Sequence, residues 1–227
     1  MRRFLCVVAA LAVAISGCSS DASNTSTTDP TTTTTTIDPN VSLEAEFMAQ
    51  IESLAAALDS GDVESYLELL QPSLTDAERE RAAFFAASAP IHVLLDECEV
   101  LSLSGFSSEA ACPVEISEPV RLEFGPAEGV LPVLRYGDAL SPTTDGTLDP
   151  HQYTGSSLAY AAYLQQFLPD EYAAACDPAG YGDEIRAEYG VSLTRRCGEL
   201  LASVAEDAAR WVREDAPQWV RDGKPAP

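Results

Sequence analysis

Asp96 and His92 are the side chains whose types and spacing point to acid–base chemistry in this 227-residue chain. They lie in the segment Ile91–Leu103. Downstream, Ala110, Cys112, Val114 and Ile116 alternate with Glu109, Ala111, Pro113 and Glu115, the period-two signature of a strand. The turn-forming run SGFSS, Ser104–Ser108, makes the two segments a hairpin. A register that sets Cys98 opposite Cys112 also pairs Val100 with Ala110 and Leu94 with Ile116, so the apolar faces match. It puts Asp96 opposite Val114 and His92 opposite Glu118. A carboxyl on an apolar face is raised toward neutrality by desolvation, which suits a general acid or base. A bulge at Asp96 and Glu97 would instead turn the carboxyl outward, and the apolar phase of the strand changes there.

The remaining inventory is thin. His151 is the second histidine, no H-E-x-x-H occurs, and no metal site is expected. GFSS and TGSS lack the second glycine or the lysine of serine hydrolases, there is no P-loop, and GYGDEI lacks the third glycine and the preceding strand of a nucleotide fingerprint. No cofactor is therefore called for. Asp138, Asp145 and Asp149 do not have EF-hand spacing and read as solvated turn residues. Arg195 and Arg196 open a helix where the dipole disfavours cations. Pairing with Glu171, Asp177 or Asp183 is favoured over an anion site. Tyr153, Tyr160, Tyr163, Trp211 and Trp219 read as helix contacts rather than a ligand wall.

The chain begins Met1-Arg2-Arg3, and its first apolar run, Phe4–Ile15, is shorter than the ~20 residues of a membrane-spanning helix. It reads as a signal peptide. Its end, Ile15-Ser16-Gly17-Cys18, resembles the lipobox at which bacterial lipoproteins are cut and the cysteine diacylated; the alternative is an ordinary cut near Ser20. The resemblance implies a signal peptide at 1–17 and a lipid anchor at Cys18, and two acyl chains suffice for stable attachment. The protein is then expected on the extracytoplasmic face of the cell membrane. Residues 18–40, with nine threonines between Thr25 and Thr36, are too polar to fold alone and read as a tether with a stretched reach of about 70 Å.

Without residues 1–17 the chain has 11 basic and 36 acidic residues, a formal charge of −25, which excludes nucleic acid as a partner. Four of its six cysteines remain once Cys6 is removed and Cys18 is lipidated. Outside the cytoplasm these read as disulfides. Three connectivities exist; the hairpin register favours Cys98–Cys112 with Cys176–Cys197. The latter pair staples the segment after Leu168 onto the last helix.

Helices come first. Leu43, Phe47, Ile51, Leu54 and Leu58 share a helical face that Gly61 ends. Asp62 caps a short helix, and Thr75 with Glu78 forms a capping box for a third helix through Ser88. Strands follow at Ile91–Leu103, from Glu109 onward with Val120, Leu122 and Phe124 keeping phase beyond Pro119, and at Val130–Tyr136. Gly137–Pro150 reads as a loop. Helices return at Ser156–Leu168 and Thr194–Glu214, the last with Cys197, Leu200, Leu201, Val204, Ala208, Trp211 and Val212 on one stripe. Ile91, Val93 and Leu95 are also apolar, so the C-terminal helices are expected to cover the second face of the sheet.

With the helix–Gly-Asp–helix phrase ALDSGDVESYLELL, Ala57–Leu70, and a bent antiparallel sheet after it, the chain resembles SnoaL-like and NTF2-like proteins. With its lipobox and threonine tract it is similar to NTF2-like lipoproteins of actinobacteria. The resemblance implies an α+β cone at 41–150, to which 151–227 adds a disulfide-stapled helical extension. Members of that superfamily include both enzymes and binding modules, and the anchor, the tether and the lack of a catalytic constellation favour a non-catalytic binding module for a small apolar ligand or an envelope protein. The alternatives are a SnoaL-like enzyme moving protons with Asp96 and His92, and an interaction module whose cone is filled by Trp211 or Leu200.

Overall fold

Helix α1 (Pro39–Ser60) begins at a proline, whose missing N–H costs nothing in a first turn. The computed structural model describes residues 39–88, 90–126, 128–142, 150–177, 179 and 190–225. The signal peptide, Cys18, the threonine tract, Asp145, Asp149 and Asp183 lie outside the described residues. Phe47, Ile51, Leu54 and Leu58 form the fully buried face of α1. The helix stops where Gly61 takes φ +65°, a left-handed conformation that only glycine adopts at no steric cost. Asp62 then caps α2 (Val63–Leu69), accepting from the Ser65 N–H at 3.2 Å. The expected capping box opens α3 (Asp76–Ser88). The Thr75 N–H donates to Glu78 at 2.7 Å, and the Glu78 N–H donates to the Thr75 hydroxyl at 3.2 Å.

The strands β1 (Ile91–Val93), β2 (Glu99–Leu103), β3 (Ser107–Ile116), β4 (Glu128–Tyr136) and β5 (Ala139–Pro142) form one curled antiparallel sheet. Both β1 and β2 pair with β3, one beyond the other in the same lane. Strand β2 keeps the expected register at Val100, opposite Ala110, where the Cys98–Cys112 disulfide closes beside it, and slips by one residue beyond, so that Ser102 faces Glu109. Strand β1 does not keep it. Ile91, not Leu94, faces Ile116, because a 3-10 turn at Leu95–Glu97 takes up three residues. The uninterrupted register would bury Asp96 among apolar side chains at a desolvation cost; the turn leaves Asp96 and Glu97 in water and seats Ile91 and Val93 instead.

Two further expectations are corrected. The strand does not continue through Val120, Leu122 and Phe124: Glu118 caps a short helix, α4 (Pro119–Leu122), with Pro119 in its first turn. The segment taken for a loop contains β5. Its outer edge is covered by one parallel bridge, Leu70 to Leu140, with the Gln71 N–H on the Leu140 carbonyl at 3.2 Å.

Helices α5 (Pro150–Phe167), α6 (Pro169–Ala175), α7 (Arg195–Glu214) and α8 (Gln218–Arg221) follow. They do not cover the second face of the sheet. The α+β fold has two cores: α1, α2 and one side of α3 pack on the sheet, whereas Phe84 on the other side of α3, Val120 of α4 and α5–α8 form a cluster that contains no strand residue. Helix α7 lies along α3 at backbone distance. A β-carbon on Gly198 would come within 2.8 Å of the Phe84 carbonyl oxygen. Thr194 caps α7 through the Cys197 N–H at 3.3 Å, and the expected Cys176–Cys197 disulfide ties α6 to this first turn. Closing a loop of 21 residues stabilises by about 3 kcal/mol through the unfolded chain. Denaturant unfolding of a Cys176→Ala, Cys197→Ala variant should show a loss of about that size; an unchanged midpoint would contradict it.

Candidate functional site

The desolvated pair anticipated for Asp96 and His92 is not formed. Asp96 lies exposed on the 3-10 turn. His92 lies exposed on β1, its Nδ1 3.5 Å from Asp59 of α1. It faces Glu115, not Glu118. Neither side chain enters the space between α1 and the sheet.

That space is packed. Phe47, Ile51, Leu54 and Leu58 of α1 meet Ile91, Val114, Leu131 and Val133 of the sheet, all essentially inaccessible to solvent. Trp211 and Leu200, which one expectation placed here, belong to the second core instead. Trp211 makes edge contacts with Tyr163 and Phe167 at ring-centre distances of 5.8 and 6.1 Å. The one guanidinium on the inner side, Arg135, is 3% exposed, stands 5.2 Å from the Phe47 ring centre and donates to the Ser108 hydroxyl at 3.0 Å. The cation–π contact and the hydroxyl partly replace its lost hydration.

The buried polar cluster that sequence reasoning missed is centred on Glu118, 3% exposed. One carboxylate oxygen accepts from the Val120 N–H at 2.8 Å and from the Tyr160 hydroxyl of α5; the other accepts from the Arg121 N–H at 2.8 Å. Burial first, and then the Glu118 charge, push the Tyr160 hydroxyl well above its ordinary range. It therefore stays a donor at any physiological pH. Beside the pair is a cavity of about 20 Å³ lined by Arg121, Ser156, Ser157 and Ser88 among others, room for a single water. With both oxygens engaged and no space for a substrate, this cluster does structural chemistry: it fixes α4 and α5 to the end of β3. A signal was present in Glu118-Pro119, a capping residue before a proline, within a run whose alternation favoured a strand.

Arg195 also works structurally. Its side chain pairs with Glu64 and, at 2.8 Å, with Glu199, and its N–H donates to Glu80 at 3.0 Å. These partners differ from the acids expected, because α7 lies beside α2 and α3. The two side-chain bonds push its pKa upward. Arg196 is exposed.

Among the described residues, the surface left without a covering helix is the outer face of the sheet. Pro113 opposite Val130, Ala111 opposite Pro132, and Glu109 opposite Leu134 form paired rows across β3 and β4. Val130 and Tyr136 are 45% and 46% exposed. At the β2–β3 turn Phe106 is 75% exposed, and its carbonyl holds the Gly137 N–H at 3.0 Å, next to Tyr136. Glu99, Glu109, Glu115 and Glu128 share this face, and the strands' one arginine, Arg135, is on the other. The apolar rows are legible in VLPVLRY, but a near-continuous apolar strand reads as covered on both sides. Among the described residues no helix is long and apolar enough to cross a membrane. Comparisons with protein families, curated proteins and solved structures find no match.

Replacing Glu118 by alanine removes a cap and leaves the Tyr160 hydroxyl buried without its acceptor, a loss of about 3 kcal/mol. Tyr160→Phe should cost about 1 kcal/mol and reduce the effect of Glu118→Ala in the double variant. Because the folded-state pKa of Tyr160 is raised above its ordinary value of 10.0, its stabilisation is complete below that value and lost as pH rises beyond it. Alkaline unfolding followed by tyrosinate absorbance should begin above pH ~10 and move to higher pH in Tyr160→Phe.

Proposed function

We propose that this protein is a non-catalytic docking module of NTF2-like fold, held by a lipid on Cys18 at the outer face of the cell membrane, whose outer sheet face receives a protein partner. The observation that carries the reading is the combination of a filled interior with an apolar sheet face that no helix among the described residues covers. An interior occupied by Phe47, Ile51, Leu54 and Leu58 gives no support to a small apolar ligand inside the cone. Asp96 and His92 in water give none to proton transfer there. Val130 and Tyr136, by contrast, leave apolar area on one side of the sheet, with Phe106 exposed at the adjoining turn, the kind of patch that marks an interaction surface. The NTF2-like assignment draws on helices that precede a curled antiparallel sheet and on α1 lying across its inner face.

The anchor is tested by mass spectrometry of the protein from its own membranes. The mature N-terminal peptide should begin at Cys18 and carry two acyl chains; an unmodified N-terminus elsewhere overturns the anchor. The docking surface is tested in living cells with a photo-crosslinking residue at Val130 or Leu134, and a control at exposed Ala202 on α7. A discrete heterologous adduct from the two sheet positions and not from Ala202 is expected. Equal patterns at all three positions overturn the assignment.

A further inference from the structure

We propose that the outer sheet face binds a basic segment of a partner protein, apolar at its centre and flanked by lysine or arginine. The inference rests on the docking reading above and supplies the partner's chemistry.

Charge complementarity carries it. Glu115 and Glu128 stand directly opposite each other across β3 and β4, and like charges in that relation destabilise a sheet. Glu109 and Glu99 add two more carboxylates on the same face, opposite Leu134 and Ala111. Among the described residues none of these four glutamates is in an ion pair. His92, the other partner of Glu115, is directed to Asp59. The sheet thus presents an apolar row on β4 with carboxylates at its Glu115–Glu128 end and along its β2 and β3 side. A cation set between Glu115 and Glu128 removes their repulsion, and an apolar centre covers Val130, Pro132 and Leu134.

The same charges exclude other occupants. A second copy would bring four carboxylates against four, at an overall charge of −23 per full chain. An anionic lipid surface is repelled for the same reason. The apolar row from Val130 to Tyr136 covers three two-residue steps, about 20 Å, which matches six or so extended residues.

The experiment uses the full-length, isotope-labelled protein and two end-blocked octapeptides, one with four central valines between pairs of lysines and its twin with glutamates in place of the lysines. The basic peptide should bind, shift the amide signals of residues 130–136, and weaken steeply between about 0.05 and about 0.5 M salt. The acidic twin should not bind. Glu115→Gln with Glu128→Gln should weaken the basic peptide about fivefold and flatten its salt dependence, while the unfolding midpoint stays the same or rises. Val130→Ser with Leu134→Ser should weaken it at every salt concentration.

Equal binding of the twins, salt-independent binding, shifts confined to the open edge of β2, or no binding of the basic peptide each overturns the inference. If that happens while cross-links still form at Val130, the docking reading stands and only the partner's charge is wrong. If the cross-links also fail, both fall.

Discussion

A carboxylate removed from water persists only where its lone pairs are filled, and Glu118 meets that condition where the chain passes from one core to the other. Its two oxygens hold the Val120 and Arg121 N–H groups and the Tyr160 hydroxyl. Those three bonds turn the chain out of β3, start α4 and fasten α5. Val120, two residues on, is already in the second core. The exit of the chain from the sheet half is thus fixed by one acidic side chain, with Pro119 fixing the first backbone torsion of the turn.

This arrangement determines which surfaces stay open. An amphipathic α7 could in principle have covered the sheet, but its small residues suit a helix better. Gly198 lets it lie against the backbone of α3, while Leu201, Ala205, Ala208 and Val212 continue the buried stripe. Once the C-terminal helices close on α3, no helix among the described residues shares a core with the outer side of β3 and β4. The glutamates there keep the face soluble and discourage self-association.

Local chemistry was the most legible part of the sequence. The Asp62 cap, the Thr75–Glu78 box, the Gly61 stop and the face of α1 are each fixed by residues within one or two helical turns, so no tertiary context overrides them. The Cys98–Cys112 pairing was legible because apolar alternation and cysteine position agree on one register. What failed depended on balance between distant groups. The 3-10 turn at Leu95–Glu97 exists because burying Asp96 costs more than interrupting a strand, a comparison that requires knowing which face is covered. Helix α4 was hidden because Val120, Leu122 and Phe124 continue the strand's phase by coincidence, whereas the deciding partner, Tyr160, is 42 residues away. The open sheet face was hidden because apolar residues on both sides of a strand indicate cover without indicating what supplies it.

Helix α3 has a role that its 13 residues do not advertise. Ala83 and Ala86 belong to the sheet core and Phe84 to the helical core, so one helix is a party wall between two rooms. Neither half retains a closed interior if that wall shifts. The halves are coupled in folding cooperativity, and a force or a binding event that displaces α3 from one side is felt by the other, although the sheet and α7 belong to separate cores.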